Sequence, residues 1–177
     1  MNEENFWNLI ESCAKKDQDL SSISVVEHYN NFSNSIGHLS QPELDEFVSI
    51  FYRLREQARS SQMAQAAFIV AHGEIVDDSV NIFLTGVIMH GREFYLRCLE
   101  NPESTLLSME CPQELPMYAP IYSAFEDLQQ NRSGNSGFSS ASCADDLSLI
   151  RNGVQVNLCI EDLVRQEMPR LFKKYWC

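Results

Sequence analysis

Apolar residues along the chain recur mostly at three- and four-residue spacing, a pattern that predicts a mainly α-helical protein. Phe6, Leu9, Ile10 and Cys13 share one face of a helix over 2–15. Asn2 caps it, and Glu3 and Glu4 occupy the first turn, where the helix dipole favours negative charge. Trp7 lies beside that face. A second helix over 21–36 carries the stripe Ile23, Val26, Tyr29, Phe32 and Ile36 and stops at Gly37-His38. The third has the clearest start: Ser40 and Glu43 stand at capping-box spacing, and Pro42 falls in the first turn, where its missing amide costs nothing. Leu44, Phe47, Val48, Phe51, Leu54 and Ala58 form its apolar face, and Arg53, Arg55 and Glu56 are expected to face water.

The stretch from Phe68 to Leu99 organises the rest. An alanine-rich helix over 61–72 (Ala64, Ala66, Ala67, Ala71) ends at Gly73, a natural C-terminal stop. Asp77 and Asp78 can each cap a fifth helix over 79–99. Its apolar positions (Val80, Phe83, Leu84, Val87, Ile88, Phe94, Tyr95, Leu99) cover more than one face, so burial on several sides is expected. Gly86 and Gly91 weaken that helix by about 1 kcal/mol each against alanine, which points to close helix packing as their use.

After Asn101-Pro102 the pattern gives a short helix over 103–108, a proline-rich connection (CPQELPMYAP) and a helix over 117–129. Residues 131–142, NRSGNSGFSSAS, read as a flexible Ser/Gly-rich loop. LSLIRNGVQVNLCI alternates around Asn152-Gly153, leaving both a short β-hairpin near 147–158 and a helix–turn–helix open. The end is helical, broken at Pro169. With no internal repeat and no domain boundary, the expectation is one domain over 1–177, a helical bundle of about six to eight helices.

Several of these pieces resemble one family. FWNLI at 6–10 is similar to its opening Phe-Trp-x-Leu-Ile. Its central signature is matched by Gly73, Asp77-Asp78, Phe83, Ile88, Gly91-Arg92, Tyr95, Leu99 and Asn101-Pro102, and MPRLFKKYW resembles its closing Pro-x-Leu segment. The chain thus resembles family 4240 of the bacterial domains of unknown function. One departure is Gly86, where that family often has tryptophan, so packing there must differ. The resemblance implies a small bacterial α-helical domain and carries no catalytic residue across.

Composition narrows the function. The 177 residues carry 25 acidic and 13 basic side chains, a net charge of −12, which repels phosphate backbones and favours basic protein partners. The acidic N-terminus does not read as a secretory signal, and no apolar run approaches the roughly 20 residues of a membrane span. A cytoplasmic protein without nucleic-acid or membrane binding is expected. Its six scattered cysteines lack any C-x-x-C pair and read as free thiols rather than a zinc site or disulfide framework. The best metal or acid–base candidates are His72, Glu74, Asp77, Asp78 and His90, which could converge at the junction of the fourth and fifth helices. No H-E-x-x-H motif, nucleophile elbow or phosphate-binding glycine loop supports them. Helix capping by Asp77 and Asp78 is the simpler role. Arg165, Arg170, Lys173 and Lys174 suit a helix C-terminus better than nucleic acid.

The sequence therefore leads to a non-enzymatic, cofactor-free immunity protein of antitoxin type, which binds and blocks a co-encoded basic toxin such as a nuclease. Glu74, Asp77, Asp78, Glu126 and Asp127 would supply complementary charge, and Tyr118 and Tyr122 aromatic anchors. The alternatives are a metal-dependent or acid–base enzyme using the 72–90 cluster and a general regulatory interaction module.

Overall fold

A computed structural model describes residues 1–14, 25–74, 78–125, 143–151 and 159–176. The described residues are mainly helical and include no strand. Their helices are α1 (Glu3–Ala14), α2 (Val25–Ile36), α3 (Gln41–Ala58), α4 (Ser61–Val70), α5 (Ser79–Met89), α6 (Arg92–Glu100) and α7 (Pro102–Leu107). A 3-10 helix, η1 (Pro112–Tyr118), runs on as α-helix through 119–125. Then come α8 (Cys143–Ile150), α9 (Ile160–Glu167) and α10 (Pro169–Tyr175). These eleven helices among the described residues exceed the expected six to eight because local breaks cut longer periodic runs. At His90-Gly91 the run over 79–99 splits: Gly91 has φ +91°, a value that helix cannot propagate through and that glycine adopts without strain.

At the first and third helices the expected cap forms, whereas Asp78 stands at the N-cap of α5 without a side-chain hydrogen bond to that helix's backbone. The Asn5 amide donates to Asn2 Oδ1 at 2.8 Å, and the Glu43 carboxylate accepts from the Ser40 amide and hydroxyl at 2.9 and 2.6 Å. Asn101 Oδ1 accepts from the Ser104 amide at 2.9 Å, with Pro102 opening α7. At the end of α4, the Gly73 amide reaches back to the Phe68 carbonyl, with Gly73 at φ +79°.

α5 is the central element. Every residue from Val80 to Met89 is buried except the half-buried Ile82. It packs most extensively against η1 and also against α3, α4 and α6. That contact needs Gly86, since a Cβ there would lie 2.6 Å from the Leu115 carbonyl oxygen. No larger residue fits this arrangement. Around α5, Phe125 lies parallel to Phe51 at 3.7 Å and also touches Phe47 and Phe32, joining α2, α3 and the 119–125 helix in one aromatic core.

Three expectations change. Arg55 is buried, not water-facing, with its guanidinium 4.5 Å from the Tyr52 ring and 5.6 Å from that of Tyr122. α2 is turned relative to the expected stripe: His28 and Phe32 are buried, whereas Val26 is 69 % exposed. The hairpin near 147–158 loses its first arm, because Leu147–Ile150 are the last turn of α8; residues 152–158 and the loop at 131–142 lie outside the described residues. None of the described helices is long and apolar enough to cross a membrane.

Candidate functional site

Of the residues expected to converge between α4 and α5, His90 is carried to the far end of α5. His72 and Glu74 are exposed in the turn after α4. Asp78 is the N-cap of α5 in left-handed conformation (φ +66°), and its Oδ1 accepts from Asn81 Nδ2 at 3.2 Å. His90 is the C-cap at the opposite end, roughly 16–18 Å along the helix axis at 1.5 Å per residue. Asp77 lies outside the described residues, as do Glu126 and Asp127. Among the described residues, no group of three or more His, Cys, Asp or Glu is placed to hold a metal ion.

His90 instead joins a buried cluster with His28 and Tyr118. His90 Nδ1 donates to the Gly86 carbonyl at 2.8 Å, and its ring packs against Phe94 and edge-on to Tyr118. His28 Nδ1 lies 2.8 Å from the Tyr118 hydroxyl, and its buried Nε2 makes no hydrogen bond. Burial, aided by the neighbouring His90, brings the His28 pKa down to about 4. Burial also lowers that of His90 and raises that of Tyr118, with Glu114 adding to the latter. At neutral pH all three are uncharged, and the cluster is a polar seam joining α2 to η1 and the end of α5. Both expected anchors are therefore internal: Tyr118 and Tyr122 are 4 % and 6 % exposed.

A second polar seam was invisible in the sequence. Asp146 on α8 is wholly buried and accepts from the Val80 amide at 3.1 Å, acting as a remote N-cap for α5. Arg59, just past α3, reaches the other oxygen at 3.3 Å and donates to Asn81 Oδ1 at 2.8 Å. Burial raises the Asp146 pKa against the opposing pull of the Val80 amide and Arg59. Further along α8, the Ile150 carbonyl accepts from Gln65 and Ser61. Sequence periodicity cannot find such a residue, because its partners come from α3 and α5. We expect Asp146→Ala to lower stability by about 1–2 kcal/mol, by uncapping α5 and leaving Arg59 without its carboxylate. Chemical denaturation measures this, and an unchanged midpoint would show that α8 contributes nothing to holding α5.

The other candidate chemistry is equally engaged. Cys13 and Cys98 are buried free thiols, the latter pushed up to about 12 by burial, so neither is a ready thiolate. Cys111 and Cys159 are free and exposed. In the basic C-terminal group, Arg165 pairs with Glu161 at 2.7 Å and stacks over Phe172, and Lys174 donates to the Leu107 carbonyl.

A family model described as "Protein of unknown function (DUF4240)" matches residues 1–130. No curated protein and no solved structure matches the chain.

Proposed function

The chain belongs to the DUF4240 family, and from that premise we propose that it is a non-enzymatic binding protein of immunity type, which occludes a basic toxin or effector in the cytoplasm. The observation that carries this reading is the placement of charge. Residues 1–130 hold 20 acidic and 7 basic side chains, whereas 131–177 hold 5 and 6. The entire negative excess thus lies in the segment that the family model matches. Such a field steers a cationic partner and raises its association rate without any catalytic group. Glu74 and Asp78, at the turn between α4 and α5, are accessible members of it, together with the exposed Glu4, Glu27, Glu43, Glu46 and Glu93. Glu126 and Asp127 add charge in sequence. With Tyr118 and Tyr122 internal, binding would rely on this charge and on apolar surface elsewhere, not on those two rings.

Capture of partners from the native lysate, at low and then moderate salt, tests the proposal. The expected result is one stoichiometric basic protein that is released as salt rises and whose toxicity this chain suppresses on co-expression. Charge reversal at Glu74 and Asp78 should slow association by on the order of tenfold. Bait without a stoichiometric partner, or a partner held equally at all salt concentrations without protection of cells, overturns it.

A further inference from the structure

We propose that the outer face of α6 is a self-association surface on which a second copy of this chain docks antiparallel. The inner face of the helix is fixed: Phe94, Tyr95 and Cys98 are buried, and the Tyr95 hydroxyl donates to the Leu54 carbonyl at 2.8 Å. At about 100° per residue, Leu99, Arg92, Leu96 and Glu100 then share one outward arc of about 100°. Leu96 and Leu99 are 46 % and 40 % exposed, two of the four large apolar side chains most exposed among the described residues. Arg92 and Glu100 are exposed and make no side-chain ion pair among the described residues, although Arg92 exerts a through-space pull on Glu3.

The charges specify the occupant. Arg92 and Glu100 lie four residues before and four after Leu96. A two-fold axis through Leu96 sets Leu96 against its own copy and places each Arg92 opposite the Glu100 of the other chain. The face is therefore self-complementary, as an isologous interface requires. A parallel arrangement would oppose like charges at both ends. The pairs flank an apolar centre, the usual layout of core and rim. Overall like-charge repulsion does not forbid the contact, because at physiological ionic strength it is screened beyond about 8 Å. The helix is short and the apolar area small, which places the contact in the weak, transient class.

Sedimentation equilibrium of the full chain over a range of concentrations, at physiological ionic strength, tests this. Wild type should show a reversible monomer–dimer equilibrium, and Leu96→Asp should be monomeric with unchanged circular dichroism. Arg92→Glu and Glu100→Arg should each weaken the dimer about tenfold or more, since each converts two attractions into two repulsions. Mixing those two variants should restore association, because every 92–100 pair is again of opposite sign; the weakening of each variant alone marks the pairing as antiparallel, since in a parallel dimer each charge meets its own copy and reversing its sign changes nothing. A monomer at every concentration overturns the proposal, as does a dimer indifferent to Leu96→Asp or a mixture that fails to associate. A monomer whose Leu96→Asp variant also loses the basic partner overturns it too, and assigns the face to that partner.

Discussion

Gly86→Leu is expected to abolish the cooperative unfolding transition, and Gly86→Ala to lower stability by about 1–2 kcal/mol. Both follow from where Gly86 sits on α5. A Cβ there would meet the Leu115 carbonyl oxygen at 2.6 Å, its Cα at 3.0 Å and its carbonyl carbon at 3.1 Å. All three are backbone atoms, so no rotamer change relieves the contact. The main chain of η1 must move, and with it Leu115, Tyr118 and Ile121, all buried against the core. Overpacking of a core costs about 1–3 kcal/mol, and contact with three backbone atoms places this case in the upper half of that range. Alanine recovers about 1 kcal/mol of that through helix propensity, which leaves a modest net loss. Leucine adds three further carbons to the same space, and a domain's whole stability is only about 5–15 kcal/mol. Urea denaturation followed by circular dichroism and tryptophan fluorescence distinguishes the cases. An alanine variant as stable as the parent would show that η1 yields freely, and the close-approach argument would fail.

What the sequence made legible was local. Caps at Asn2 and Ser40 and the breaks at Asn101-Pro102 and Pro169 involve residues a few positions apart, so their chemistry is written in adjacent letters. The all-round apolar character of α5 announced its central place. The split at Gly91 was hidden, because the hydrophobic pattern continues across it and only the backbone angle reveals the turn. The rotation of α2 was hidden for a different reason. A hydropathy stripe prefers Val26 to His28, yet the imidazole is buried because Tyr118, ninety residues away, supplies its hydrogen bond. Asp146 follows the same logic with Val80 and Arg59. Conversely, His72, Glu74, Asp78 and His90 looked like a cluster because they are close in sequence. The helix between Asp78 and His90 carries His90 away from the other three, so the same periodicity that predicts α5 argues against that site.

Between about pH 7 and pH 5 the protein is expected to lose about 2 kcal/mol of stability through His28 alone. In the unfolded chain this imidazole titrates near its ordinary 6.5; in the fold burial holds it to about 4. Below the unfolded value the unfolded state takes up a proton that the native state refuses. Stability therefore falls with pH through that window, and the full penalty, about 3 kcal/mol, is reached only below the folded value. His90 is lowered by burial and acts with the same sign. Asp146 acts oppositely: its raised pKa means the native state binds a proton more readily than the unfolded chain, so its contribution rises on acidification, nearer the carboxylate range. Glu3, held low by Arg53, loses its contribution only as pH falls below about 4.5, so it does not blur the histidine window. Protonating His28 would also place a cation between α2 and η1 with no carboxylate described beside it, so α2 should loosen before the aromatic core does. Urea midpoints across the pH range measure the slope, and His28→Phe should remove most of it. Imidazole proton shifts give the site directly: a His28 signal titrating near 6.5, or midpoints flat from pH 7 to 5, would show that the seam is open to water in the folded protein.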